Sequence, residues 1–243
     1  MRKSYYINSD FILSLNESSD ITIVYDASLK IHFDLKDGDY NILIFNNANS
    51  SVDLFEDGDI SNANVNITYL ELNDYPFSQN NYLKIHKNST LNINTIYLGI
   101  NDKKIKFDTY NLESESLVNI NNNVVCLDDA DFSLEVVGNI VNGAKACQCH
   151  QKSQCLTFGV PKSAKVLPVL NIDENDVEAS HSLSSGTIDE DVLFYMNSRG
   201  LDKKDALSLL LTSYLMPNEE FYSKFEDGLK LKEIADKKVE SIC

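Results

Sequence analysis

The chain has 243 residues, of which 43% are hydrophobic, enough for one sizeable core or at most two small ones. It carries 21 Lys and Arg against 37 Asp and Glu, a formal charge of −16 at pH 7, which disfavours phosphate backbones and anionic membrane surfaces as partners. No apolar run approaches the roughly 20 residues of a membrane span, and Asn8, Ser9 and Asp10 interrupt the basic opening before a signal peptide can form, so a cytoplasmic protein is expected.

From about residue 18 to 181 the pattern is strand-like, in short bursts. Residues 21–25, 30–33, 40–44 and 52–54 come first, then 65–69, 82–85, 91–93, 105–107 and 117–120, and last 132–136 and 166–170. Many alternate apolar and polar with period two, and Asn, Asp, Ser or Gly punctuates nearly every gap. Strands at roughly 8–12 residue spacing argue for an all-β sandwich, barrel or solenoid rather than βαβ units. Asparagine inside and beside the strands suits a solenoid, where it takes positive φ at tight corners and stacks from coil to coil. Pattern alone leaves sandwich and solenoid level.

After Gly186 the character changes. Thr187-x-x-Glu190 has the spacing of a capping box, and Ile188, Val192, Tyr195 and Met196 fall on one face of the helix it would open, with Gly200 as the stop. Asp202-x-x-Asp205 caps a second helix carrying Ala206, Leu207, Leu210, Leu211 and Tyr214 and ending at Pro217. A third segment, residues 219–242, carries Phe221, Phe225, Leu229, Ile234 and Val239, with a kink at Asp227-Gly228. The expected division is a β-region over residues 1–186 and a helical region over 187–243.

Two short motifs fail on inspection. Gly138-x4-Gly143 has the spacing of a phosphate loop, but Ala144 separates Gly143 from Lys145 and Ala146 stands where Ser or Thr is needed. Ser182-x-Ser184-x-Gly186 lacks the leading glycine and the strand–turn–helix setting of a nucleophile elbow. The five cysteines, Cys126, Cys147, Cys149, Cys155 and Cys243, are odd in number and in a reducing compartment read as free thiols, metal ligands or redox groups. Cys147-x-Cys149-His150-x4-Cys155 gathers three thiols and an imidazole; on a strand Cys147 and Cys149 share a face, and thiolates favour Fe–S clusters, zinc or cuprous ions. The spacing is not that of a zinc ribbon, so buried thiols in a β-core weigh equally. His181, a lone imidazole before the first helix, is of a type more often satisfied structurally than used as a ligand.

The run from Ala179 to Gly200, through Ser180-His181, Gly186, Asp189-Glu190, Leu193-Phe194-Tyr195 and Ser198-Arg199-Gly200, resembles the C-terminal signature of the SufB/SufD family of the SUF iron–sulfur cluster assembly machinery. The helix over residues 205–215 fits its continuation, and Gly143-Ala144, His150-Gln151 and Leu156 match an upstream family segment, so the resemblance covers about residues 138–225. It implies a right-handed parallel β-helix (β-solenoid) with a C-terminal α-helical domain, acting as a scaffold without catalytic turnover of its own. The implied partners are a SufB/SufD-type subunit, joined edge to edge in a homo- or heterodimer, and a SufC-type ABC ATPase docked on Leu193, Phe194, Tyr195, Arg199, Leu210 and Tyr214. A transient Fe–S cluster would form at the subunit interface, with no nucleic acid and no membrane involved.

Family members are usually longer, with an N-terminal helical region that has no counterpart here, so a trimmed core is expected. Ser182 replaces the glutamate that follows the motif histidine in SufB-type members, and Ser153 stands at the position of their functional cysteine. Both point to the SufD-like side, where the motif histidine, His181, is the functional residue. Cys155, two residues beyond Ser153 on the same strand face, is the expected thiolate, with Cys149 and His150 as weaker ligands. Two rival readings are a purely structural partner that binds no iron or sulfur, and a glycan-cleaving enzyme using Asp128 and Asp129. Adjacent carboxylates point to opposite strand faces and there is no Trp for a sugar platform, which counts against the enzyme.

Overall fold

In the computed structural model, which describes residues 1–215 and 219–242, the β-region is a parallel two-sheet solenoid. One sheet orders the odd strands: β1 (Arg2–Ile7), β3 (Ser19–Tyr25), β5 (Asp39–Asn46), β7 (Asn64–Glu71), β9 (Thr90–Gly99), β11 (Leu117–Cys126), β13 (Cys147–Thr157) and β15 (Val177–Thr187). The other orders the even ones: β2 (Phe11–Leu15), β4 (Leu29–Lys36), β6 (Val52–Ser61), β8 (Phe77–Ile85), β10 (Asp102–Asn111), β12 (Asp131–Ile140) and β14 (Ser163–Ile172). Consecutive strands thus lie in opposite sheets, and each pairs in parallel with the strand one coil away. The coil lengthens along the chain: Arg2 pairs with Asp20, a step of 18 residues, but Cys147 pairs with Val177, a step of 30. Corners turn through left-handed residues, among them Asn62, Asn88 and Asn101, where an Asn side chain tolerates φ of 50–62°.

In-register stacking puts like residues above one another. Ile21, Ile42, Ile67, Ile93 and Ile120 form one interior row, each without solvent exposure, and each burial is worth roughly 1.5–3 kcal/mol. The outer face of the odd sheet is divided lengthwise. Its first half carries an amide ladder: Asn41 donates to Asp20, Asn66 to Asn41, Asn92 to Asn66 and Asn119 to Asn92, at 2.8–3.1 Å. Its second half is apolar, with Val24, Leu43, Phe45, Leu70, Leu98 and Val125 in a second core shared with the helices.

Those helices are α1 (Glu190–Ser198), α2 (Lys203–Leu215), α3 (Glu219–Ser223) and α4 (Gly228–Ile242). Leu207, Leu211, Leu215, Tyr222, Phe225, Leu231 and Val239 cover the apolar half-face. The expected kink is the break between α3 and α4, where the Gly228 backbone approaches the Tyr222 carbonyl too closely for any Cβ. Asp202 caps α2 as expected, accepting from Asp205 N at 2.8 Å. The expected Thr187 cap is corrected: Asp189 caps α1, accepting from Asp191 N, while Thr187 ends β15. The expected end of α2 at Pro217 lies outside the described residues, as does Cys243. Strands also begin earlier and end later than the pattern implied, adding β1, β2, β13 and the full length of β15. Among the described residues no helix is long and apolar enough to cross a membrane.

Candidate functional site at the terminal coil

The solenoid ends at β14 and β15, each the last strand of its sheet, so both inner faces are covered from one side only. The inner row of β15 is Val177, Ala179, His181, Leu183 and Ser185, in register with Cys147, Cys149, Gln151, Ser153 and Cys155 of β13. Because this coil has no successor, positions that are sealed on β13 are open on β15: His181 is exposed and Leu183 keeps 46% of its surface. An open cavity of about 360 Å³ lies here, lined by Cys155, Ala164, Val166, Leu167, Leu183 and Ser185.

The four described cysteines are buried and free, as expected of thiols in a β-core. Cys147 has a structural bond, its Sγ donating to the Glu113 carbonyl at 3.0 Å. Cys149 is wholly enclosed, and burial pushes its pKa up to about 12, so it stays a neutral thiol. It fits because Gly138 of β12 lies opposite; a Cβ there would come within 2.5 Å of its sulfur. Cys155 differs. A hydrogen bond from the Cys126 thiol holds its pKa below the ordinary value against the opposing effect of burial. That same bond, together with burial, holds Cys126 far above the ordinary range, so Cys155 is the member of the pair that ionises first.

The predicted site residues are only partly brought together. His150 faces outward, away from Cys149, and extends the amide ladder, its Nδ1 lying 2.8 Å from Ser180 Oγ. Cys155 pairs with Ser185, four positions along β15 from His181, a separation of about 13 Å at 3.3 Å per residue. Cys149 pairs with Ala179, two positions from His181, about 7 Å by the same rise. Among the described residues no three His, Cys, Asp or Glu side chains converge on a metal-sized site. Ser153 is buried and accepts from Asn122 at 3.0 Å. Asp128 accepts from Val160 N at 2.5 Å, and Asp129 turns a corner at φ 62°.

Sequence reasoning passed over Gln151. It occupies the isoleucine row, between Ile120 and His181, and is buried. The signal was available: an amide follows five isoleucines at matching register.

Beside this coil, α1 buries none of its residues. Leu193 and Met196 are half-buried, whereas Phe194 and Tyr195 are 74% and 57% exposed, and the Arg199 guanidinium stacks 5.1 Å from the Tyr195 ring centre. Of the expected face, Met196 is half-buried, joined by Leu193, whereas Tyr195 is turned to solvent. Leu210 and Tyr214 of α2 line a cavity of about 190 Å³ with Leu156, Ile188 and Val192. Burial and the nearby Cys155 push the Tyr214 pKa up to about 12.

A family model described as "SUF system FeS cluster assembly, SufBD core domain" matches residues 19–214. The chain is 34% identical over 93 residues to the "Iron-sulfur cluster assembly protein SufD" of Bacillus subtilis (strain 168), covering 38% of this chain and 21% of that protein. It is 33% identical over 102 residues to an "Iron-sulfur cluster assembly SufBD family protein" of Synechocystis, covering 39% and 21%. To the SufD of Escherichia coli (strain K12) it is 24% identical over 151 residues, covering 61% and 35%. The matched regions thus span about a fifth to a third of these relatives' lengths.

Proposed function

Because the chain belongs to the SufBD core-domain family of the SUF iron–sulfur cluster assembly system, we propose that it is a SufD-like scaffold subunit of a SUF-type assembly complex. The unpaired edge of β15 receives a strand of a SufB/SufD-type subunit by parallel or antiparallel backbone pairing. That junction brings a second set of donors to His181 and Cys155, and the nascent Fe–S cluster is the cargo assembled there. His181 acts as a neutral imidazole ligand or sulfur-path group, and Cys155 as the thiolate. The scaffold turns over no substrate itself. A SufC-type ABC ATPase docks on α1 and supplies hydrolysis.

The observation that carries this reading is the adjacency of two unfinished surfaces, an open last coil holding His181 and a helix whose Phe194 and Tyr195 face solvent. Co-purification of the full chain with a SufC-type ATPase tests the docking. Point substitution is the sound probe, since deleting the helices would strip the second core. Phe194→Asp with Tyr195→Asp is expected to lower capture at least tenfold without changing the folded fraction. Failure of the intact chain to bind any such ATPase overturns the docking. Cluster assembly undiminished in His181→Ala and Cys155→Ser complexes would favour a purely structural subunit.

A further inference from the structure

The Gln151 side chain is 3% exposed, and its amide is only half used. Nε2 donates to the Val169 carbonyl of β14 at 3.1 Å. A carbonyl can only accept, so this bond fixes which end of the amide is NH2 and which is oxygen. The oxygen, Oε1, is buried with no hydrogen-bond partner. Leaving a buried acceptor unpaired costs about 1–3 kcal/mol, and every other inner-row position from Ile21 to Ile120 is filled by isoleucine, which carries no such liability. The amide also leans toward the last coil, since Val169 belongs to β14, the strand that closes that coil with β15. Space for it comes from Gly138, whose missing Cβ would stand 3.0 Å from Nε2. The in-register neighbour of Gln151 on β15 is His181, on the same inner face. Among the described residues His181 has no hydrogen-bond partner of its own, although an imidazole always offers at least one N–H.

We propose that Gln151 is the positioning residue for His181: its buried Oε1 accepts the hydrogen bond of one ring N–H, fixing a single tautomer and leaving the other ring nitrogen bare and directed into the open coil. Strand register places the two residues side by side on the inner face, within reach of one another by rotation of their side-chain bonds. The same bond removes the one orphaned acceptor in the terminal coil's interior row. This rests on the reading of His181 as the working group, but its test does not depend on cluster assembly.

The test is nitrogen-15 NMR of the full chain with labelled histidine at pH 8, the His181 signals being identified by their loss in His181→Asn. A fixed tautomer gives two widely separated ring-nitrogen resonances, one N–H and one bare; an exchanging mixture draws them together. The expected result is a fixed tautomer in the wild type, lost in the near-isosteric Gln151→Met and retained in Gln151→Glu, which keeps an acceptor. An averaged His181 pair in the wild type overturns the proposal without recourse to any variant. A fixed tautomer that survives in Gln151→Met overturns it equally. A fixed, Gln151-dependent tautomer combined with full cluster assembly by His181→Ala complexes would keep the positioning and remove the function proposed for His181.

Discussion

Cys155 and His181 face into the same terminal coil from neighbouring strands, yet stand four positions apart, because Cys155 pairs with Ser185 while Gln151 pairs with His181. At about 13 Å they exceed the reach of one metal ion, whose bonds to sulfur and nitrogen are about 2.0–2.3 Å. The isolated chain titrated with cobalt(II) is therefore expected to show no thiolate-to-metal absorption that depends on both residues. A tight one-to-one site lost in either His181→Ala or Cys155→Ser would contradict the separation. Although His181 is exposed, His181→Ala leaves the buried Gln151 Oε1 without the donor proposed for it and should cost about 1–3 kcal/mol.

Cys155 should also be the first of the buried thiols to react. It lines the open cavity and is the readily ionised partner of Cys126, whereas Cys149 is enclosed and neutral. Timed alkylation of the native chain followed by peptide mass mapping should label Cys155 ahead of Cys126, Cys147 and Cys149. Faster labelling of Cys149 would mean that the terminal coil opens.

Much of this architecture was legible beforehand, and the exceptions share a cause. Strands whose inner residues are all apolar, such as β4 with Leu29, Ile31, Phe33 and Leu35, declared themselves by alternation. Within β13 the inner row is Cys147, Cys149, Gln151, Ser153 and Cys155, so a strand buried on that face reads as polar. The amide ladder was anticipated from asparagine content, because identical coils stack identical side chains. The two-sheet form was not, since period two says nothing about how many strands complete a coil. The docking of the helices on the odd sheet was missed as well, although consecutive apolar residues such as Leu43 with Ile44 and Val124 with Val125 mark strands covered on both faces. The register that separates Cys155 from His181 depends on coil length, which varies along the chain and leaves no local trace.

Glu56 makes the interior sensitive to pH. It is fully buried, accepting from Tyr69 Oη at 3.1 Å and Gln79 Nε2 at 2.8 Å, with Asn81 Nδ2 at 3.4 Å. Burial raises its pKa to about 7 and the three donors only partly oppose this. The phenols of Tyr25, Tyr69 and Tyr97 nearby are themselves held well above their ordinary value, chiefly by burial, and stay neutral. A carboxyl whose folded pKa is raised contributes stability below its unfolded value, and that contribution is lost as pH rises from about 4.5 to about 7, roughly 3 kcal/mol in all. Glu56→Gln keeps an oxygen for Gln79 and Asn81 and can donate to Tyr69. Relative to wild type the variant should gain stability across that window and then level off, as read from urea midpoints at several pH values. A constant difference from pH 4 to 8 would exclude the buried proton.

His86 produces a pH response of its own, at the corner between β8 and β9. Its Nε2 lies 2.8 Å from Asp59 Oδ1 and its Nδ1 3.2 Å from Glu113 Oε1, so the ring joins three successive coils. Only the imidazolium can donate from both nitrogens. Burial pulls the His86 pKa down, but the two carboxylates outweigh it and the net shift is upward, while the same contact holds the Glu113 pKa below its ordinary value. A histidine with a raised folded pKa contributes stability fully below its unfolded value and loses it as pH climbs through the raised one. The stability lead of wild type over His86→Gln should therefore be greatest near pH 6, shrink as pH rises past the histidine range, and decline again in acid as Glu113 takes up a proton. Because the bridge is partly exposed, salt should also reduce that lead. Melting curves of both proteins from pH 4 to 9 decide the matter: a lead that grows toward pH 9 would mean that His86 is held neutral and that the bridge of three coils is not ionic.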